Sequence, residues 1–523
     1  MDRNRERLVV WTYSLAVLLV YLSFPTKNYF FDGVDFAYTI ESARRLSTSL
    51  VHPNHLIYNL VGYLIYKAVR SVGIDIRALE VLRIANSLLS VLSAYVLFRI
   101  LRAFVRSLYL CTALVLLFSF SATWWKFSTD ANAYIPSVLF ILISFYFALP
   151  TLKPRPLLVA LTFSISMCFH QLAVVFYPVL VAACFLRADQ LDRRKQILNA
   201  FYFSAAAFVI TFVAYYYCFY LATASLDFTR FVRWMTSFSP DGGFSFSAWN
   251  NLAYTVRGHA RLFFGGRFNL LKGLINPLIV VLMAALAAAA LLLIFQLVRN
   301  YKRPDSRRAS VLINDLRRNP VALLSALWIL VYLIFLFIWM PQHTFYRLFY
   351  LPAIIILAGL VLSFYETARA AAGDAASRRR QYRLALLVAA LSLANFLFLI
   401  YPYAHAEKFP PLAFALEMNR EWPQGTVIYY ALTNADNSLF RYFNPSTIWK
   451  QSDMNDRKAL EAELQALDEQ GQSAWLDDSA ISQLSSTKEG TEWLSMRARE
   501  ETRRKLIDKS YRIQFVRIDT RAR

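Results

Sequence analysis

Runs of apolar residues recur along most of this chain, and short clusters of Lys and Arg separate them. The runs are 8–24, 82–101, 107–122, 134–150, 157–169, 172–186, 199–221, 274–298, 321–340, 348–365 and 384–401. A helix rises about 1.5 Å per residue, so about 20 apolar residues cross about 30 Å of hydrocarbon. A backbone in lipid must also satisfy its own polar groups, which helices do. The pattern therefore predicts an all-α polytopic membrane protein of about eleven spans. Hydrophobic residues make up 57% of the 523, which excludes a water-soluble globule as the main architecture. A net charge of +22 would suggest nucleic acid in a soluble chain. Here the cations sit between apolar runs, so the partner they imply is the lipid bilayer and no nucleic acid.

The basic clusters also set orientation. Met1 to Arg7 precedes the first run without a small-residue cleavage site, and reads as the inner flank of an uncleaved first span. The inner segments then carry Arg99, Arg102 and Arg106; Lys153 and Arg155; Arg187, Arg193, Arg194 and Lys195; the cluster from Arg299 to Arg318; and Arg369 through Arg383. Lys126 and Arg347 stand out as cations on the outer side. Leu157 to Phe185, with basic clusters at both ends, is expected to be a hairpin turning at His170-Gln171. His55 to Val69 is short and holds Asn59, so it is expected to lie on the outer surface as an interfacial helix.

The expected organisation is a transmembrane domain over 1–401 and a small soluble α/β domain over 402–523. Within the first, 25–81 forms the first outer loop and 222–273 a large outer loop rich in aromatics and Arg. The second has strand-like Thr426 to Leu432 and Tyr511 to Ile518 around a helical Asp456 to Glu469. Ala370 to Arg380 reads as a flexible inner linker. Cys111, Cys168, Cys184 and Cys218 lie inside apolar runs, without the spacing of a disulfide framework or zinc site.

Titratable groups concentrate after the first run, in Asp32-Gly33-Val34-Asp35-Phe36-Ala37-Tyr38-Thr39-Ile40-Glu41 and in His52-Pro53-Asn54-His55. Ionisable groups gathered at a membrane edge are candidates for function. A structural reading stands beside it: Asp32-Gly33 as a turn, Asp35 as a helix cap and Pro53 as a helix start. His52 and His55, one turn apart near Asp32 and Glu41, could hold a divalent cation such as magnesium or manganese, with Asp32 and His52 as its ligands, or could cap and bind substrate.

The stretches Val34 to Glu41, His52 to Asn59, Ser128-Thr129-Asp130-Ala131-Asn132-Ala133-Tyr134-Ile135-Pro136 and Phe345-Tyr346-Arg347-Leu348-Phe349-Tyr350-Leu351-Pro352 carry a likeness. In that order, among so many spans, they make the chain resemble the GT-C superfamily of polyprenyl-phosphate-sugar glycosyltransferases, which includes protein O-mannosyltransferases and bacterial aminoarabinose transferases. The adjacent Asp-Glu pair of the eukaryotic O-mannosyltransferases is absent, because Phe36 follows Asp35. Two alignments to the superfamily differ over whether Asp32 or Asp35 is the catalytic residue.

The resemblance implies an inverting transferase that moves a mannose-like hexose from a polyprenyl-phosphate carrier to a protein hydroxyl or glycolipid. It further implies a bacterial inner membrane, with the reaction on the periplasmic side. Such a reaction needs a base for the acceptor hydroxyl and cations for the departing phosphate. Asp35, with Asp32 as rival, is the expected base. Arg347, four residues after His343, is the first expectation for the phosphate, with Arg257 and Arg261 at the same spacing as alternatives that also suit interfacial snorkelling. Glu41, His52, His55, Asp130 and His170 are expected around the substrate. A transporter or flippase of lipid-linked saccharides, or a polysaccharide polymerase or ligase, is the competing function. A transporter would be expected to show inverted repeats and midplane charges, and neither is evident in the sequence.

Overall fold

The computed structural model describes residues 3–186, 192–236, 244–267, 306–369, 374–433, 435–506 and 512–520, together with 278, 281, 285 and 292. The expected span 274–298 lies outside the described residues apart from those single positions. The chain divides into two compact units, Met1–Thr26 with Ala43–Pro402, and Lys27–Ser42 with Tyr403–Arg523.

The first unit is helical. Among the described residues, five helices are long and apolar enough to cross a membrane: Asn4–Ser23, Ala78–Arg102, Arg193–Thr223, Pro320–Ile338 and Gln381–Tyr403. Tyr134–Ala148, Pro156–Phe169, Gln171–Phe185 and Leu351–Phe364 are apolar but shorter. Leu108–Ser119 continues into Ala122–Ser128 after a bend of 68°, so the expected span 107–122 ends early. The count of full crossings among the described residues is thus smaller than eleven, although helices form at the expected positions. Arg193–Thr223 leaves Phe201, Phe208, Val209, Val213 and Tyr217 exposed, the all-round apolar surface of a helix whose solvent is lipid.

Small polar residues hold these helices together. Ser137 and Ser166 meet at 3.0 Å, Ser144 donates to Thr162 at 2.9 Å, and Thr211 donates to Ser164 at 3.0 Å. Small hydroxyl side chains allow close helix approach and exchange hydrogen bonds where an apolar solvent supplies none. The chain reverses at His170, as expected for a hairpin. The Phe163 and Tyr177 rings lie 6.3 Å apart, and Val159 and Leu180 line one small cavity. The region from Asp374 is helical through Asn395, which corrects that part of the expected flexible linker Ala370 to Arg380, while 370–373 lie outside the described residues. The run of basic residues there interrupts neither helix propensity nor hydrogen bonding.

The second unit is α/β. Its sheet has strand order β2-β1-β3-β5-β4, with β1 Val427–Tyr430, β2 Ile448–Gln451, β3 Ala474–Leu476, β4 Ala498–Leu506 and β5 Arg512–Ile518. β1 pairs parallel with β2 (Val427 with Ile448) and with β3 (Val427 with Ala474), whereas β5 runs antiparallel to both β3 and β4. All of β1 is buried, as parallel strands covered on both faces are. Val427 and Tyr429 meet Leu460, Leu464 and Trp493 on one face. On the other, Phe515 packs edge-on against Trp422 and Phe440, with ring centroids 5.0 and 4.9 Å away. The acidic helix Phe31–Ser42 belongs to this unit, although the sequence places it in a loop of the transmembrane domain.

Candidate functional site

The acidic stretch is a helix from its start. The Gly33 and Val34 N–H groups both donate to the Phe30 carbonyl, at 3.0 and 3.4 Å. Asp32 therefore sits in the first turn, and Asp35 follows one turn later on the same side rather than capping the helix. Val34, Phe36, Ala37 and Ile40 are buried, so the carboxylates occupy the more open side of an anchored helix. The N-terminal end of a helix favours negative charge.

The helix Ala435–Phe443, which follows β1, packs against it. Arg441 places its guanidinium carbon 4.2 Å from the centre of the Tyr38 ring and 5.2 Å from that of Tyr430. Its charge acts on Asp35, whereas the Ser438 hydroxyl is buried without a hydrogen-bond partner. Tyr442 donates to Glu41 at 2.8 Å, and Tyr29 stacks on Phe443 at 5.6 Å. Ser438, Arg441 and Tyr442 share one helix face, at spacings of three and four. The two aspartates differ as a result. Burial, then the charge of Asp35, raises Asp32 to about 7; burial raises Asp35 as well, more than the opposing charge of Arg441 lowers it.

In the first unit three of the four histidines singled out by sequence, His52, His55 and His170, come together. The His52 and His55 rings are 5.8 Å apart, and His55 and His170 are 4.7 Å apart. His52 Nδ1 accepts the Asn54 N–H at 3.2 Å, and His170 Nδ1 accepts the Leu172 N–H at 3.1 Å. A ring nitrogen that accepts carries no proton, so each neutral imidazole carries its proton on Nε2. Burial lowers the pKa of His52, and burial together with the neighbouring His170 and His52 lowers that of His55 strongly. Gln171 donates to the Pro53 carbonyl at 2.9 Å, tying the hairpin tip to the His-Pro turn.

This tautomer does not fit a divalent cation on His52. Nε2 offers a hydrogen instead of a lone pair, and Nδ1 is committed to a backbone donor. Among the described residues no group of three His, Cys, Asp or Glu side chains is placed to hold a metal ion.

Asp130 is fully buried and paired with Lys126 at 2.5 Å, and it also accepts the Ala131 N–H. Lys126, expected on the outer side, is thus its counterion. Asn132 accepts from the Tyr134 and Ile135 N–H groups and starts the next helix. Arg347 is 1% exposed. It donates to the carbonyls of His343 at 3.0 Å and Pro341 at 2.9 Å, which makes it a brace instead of an open phosphate clamp. Thr344–Phe349 is a 3-10 turn, so His343 and Arg347 do not share an α-helical face. Gly258 lets the helix Ala248–Phe263 approach this guanidinium, since a Cβ there would lie 2.3 Å from Arg347 Cζ. Arg257 and Arg261 on that helix are exposed.

The first unit also holds a cavity of about 850 Å³ with an almost wholly apolar lining. Met167, Phe212, Tyr215, Phe231 and Trp339 form its walls, with Asn54, His170 and Gln171 among the polar groups that reach it. Sequence reasoning missed Arg441, Ser438, Tyr442 and Tyr430. They lie some 400 residues from the acidic helix, and no local pattern connects them to it.

No protein-family model matches the chain, and no curated protein sequence matches it. Its fold is that of ArnT from Cupriavidus metallidurans. The structure of that protein bound to undecaprenyl phosphate superposes with a TM-score of 0.60 at 12% identity, covering 99% of this chain and 98% of that one. Its apo structure gives 0.58 at 13% identity, over 98% and 97%. The arabinofuranosyltransferase AftD from Mycobacteria gives 0.43 at 13% identity, over 99% of this chain and 40% of that one.

Proposed function

We propose that this protein is an inverting glycosyltransferase that takes a sugar from a polyprenyl-phosphate carrier. The observation that carries the reading is the pair of carboxylates one turn apart on the helix Phe31–Ser42, against which Arg441 stacks through Tyr38. Asp35, beside Arg441, is the base that accepts the proton of the attacking hydroxyl as oxygen bonds to the anomeric carbon. The bond from that carbon to the phosphate oxygen breaks, and displacement by a single base inverts the centre. The 850 Å³ apolar cavity suits an isoprenoid chain, and the His170 Nε2–H is a buried donor for an oxygen of the carrier. Within the first unit, Arg257 and Arg261 lie exposed on one helix, cations of the kind that bind phosphate.

The acceptor is a protein hydroxyl or a glycolipid, and the reaction takes place at the outer face of a bacterial inner membrane. The full set of about eleven crossings, with the Tyr58–Ser71 helix on the outer surface, goes with this orientation. The fold shared with ArnT, whose structure holds undecaprenyl phosphate, supports a carrier of that class.

The test uses purified protein in nanodiscs with radiolabelled polyprenyl-phosphate hexose and candidate acceptors. Asp35→Asn is expected to lower turnover by about 10²–10⁴-fold, and Asp32→Asn to lower it by far less. Equal turnover in wild type and Asp35→Asn removes the base, and translocation of the lipid without transfer would replace the enzyme with a flippase.

A further inference from the structure

The acidic helix and its partner belong to the same compact unit, so the C-terminal region supplies more than a cover. Arg441 is held in a defined place. Its guanidinium lies between Tyr38, from the acidic helix, and Tyr430, the last residue of β1. Cation–aromatic contacts of this kind orient a planar guanidinium and strengthen when partly desolvated. The Nε of Arg441 is buried without a hydrogen-bond partner, so the ring faces, rather than a set of acceptors, fix the group.

Asp35 therefore meets a small set of charged and titratable groups in this unit. Asp32 and Tyr38 come from its own helix and Arg441 from Ala435–Phe443, while Tyr430 of β1 meets Arg441 from the other side. Glu41 and Tyr442 bond each other at 2.8 Å nearby, holding the two helices in register without adding a cation. Arg441 is the cation in this set.

The geometry points to Arg441 as a positioning residue for Asp35: clamped between two tyrosines, one of them a turn along the acidic helix, it fixes a positive charge that favours the ionised carboxylate over the effect of burial. This rests on the reading of Asp35 as the base. It makes the C-terminal unit part of the reaction machinery, joined to the base through a helix that the chain delivers from its N-terminal region.

Two measurements separate this proposal from the reading beneath it. The first is the pH profile of turnover. Removing the cation in Arg441→Gln is expected to move the acid limb upward by about one unit or more. Arg441→Lys, which keeps the charge but loses the planar stack, is expected to return the limb most of the way while leaving turnover reduced. Loss of turnover at every pH with the limb unmoved would make Arg441 merely structural and overturn the proposal.

The second needs no transferase activity. In a background where the half-buried Cys184 and Cys218 are alanine, the thiol introduced by Asp35→Cys is titrated by its rate of reaction with a small methanethiosulfonate. A neighbouring guanidinium lowers a thiol pKa. Adding Arg441→Gln should raise the titration midpoint by about one unit, and an unchanged midpoint overturns the proposal. If the midpoint moves but wild type transfers no sugar, the electrostatic relation stands and the transferase reading fails.

Discussion

At the scale of single residues, chemical type was readable but commitment was not. Arg347 and Asp130 are the residue types that phosphate and acceptor binding require, yet each is buried among protein partners. Gly258 shows the consequence. Alanine in a helix interior normally stabilises by about 1 kcal/mol over glycine, but a Cβ here meets Arg347 Cζ at 2.3 Å. Displacing that guanidinium breaks its bonds to two carbonyls, about 1–3 kcal/mol for buried groups. Gly258→Ala is therefore expected to lower the thermal midpoint in detergent. A raised midpoint would show that Arg347 swings aside freely.

Asp32 supports a prediction with a definite sign. Its folded pKa, about 7, lies above the ordinary carboxyl value near 3.8. The folded protein therefore holds a proton that the unfolded chain releases between those values, and the Asp32 contribution to stability is fully present below about pH 4 and declines as pH rises through 7. Asp32→Asn removes that dependence. The stability gap between variant and wild type should shift in favour of the variant from pH 5 to 8, measured by thermal unfolding. A gap constant over that range would mean that Asp32 is ordinary in the folded protein.

At the scale of elements, the second polar turn is organised by an internal ion pair. Lys126 ends the short helix Ala122–Ser128, and Asp130 follows it into the turn before Tyr134–Ala148. Removing one member of a buried pair strands the other charge, at a cost of about 3–5 kcal/mol, whereas removing both costs much less. Lys126→Met should thus destabilise strongly, and Lys126→Met with Asp130→Leu should recover most of the loss in chemical denaturation. If the double variant is no better than the single, the pair does not carry the coupling. Elements themselves were largely legible, since apolar length and flanking charge located the helices near Ala78–Arg102, Arg193–Thr223 and Pro320–Ile338. The 68° bend after Ser119 was not legible, because the apolar run continues through it.

At the scale of the whole molecule, contact and chain order part company. Lys27–Ser42 lies between two segments of the membrane unit in sequence but packs with Tyr403–Arg523. A chain ending at Pro402 should therefore leave Phe36, Ala37 and Ile40 without their cover. Trypsin is expected to cut at Lys27, Arg44 and Arg45 faster in that truncation than in the full chain. Equal protection would mean that the acidic helix is held by something other than the C-terminal unit.

By itself, the sequence determined that most of this chain is helix in lipid, that an α/β region follows the apolar runs, and that its ionisable groups collect in a few polar stretches. Those properties follow from local hydrophobicity and spacing, which act over a turn or a span. Only the tertiary structure decided that Arg441 stacks on Tyr38 of the acidic helix, that His170 joins His52 and His55, and that Arg347 and Asp130 are already partnered. Each of these pairs a side chain with atoms chosen by packing. Between residues hundreds of positions apart, the choice depends on the shape of the whole unit and leaves no periodic trace along the chain.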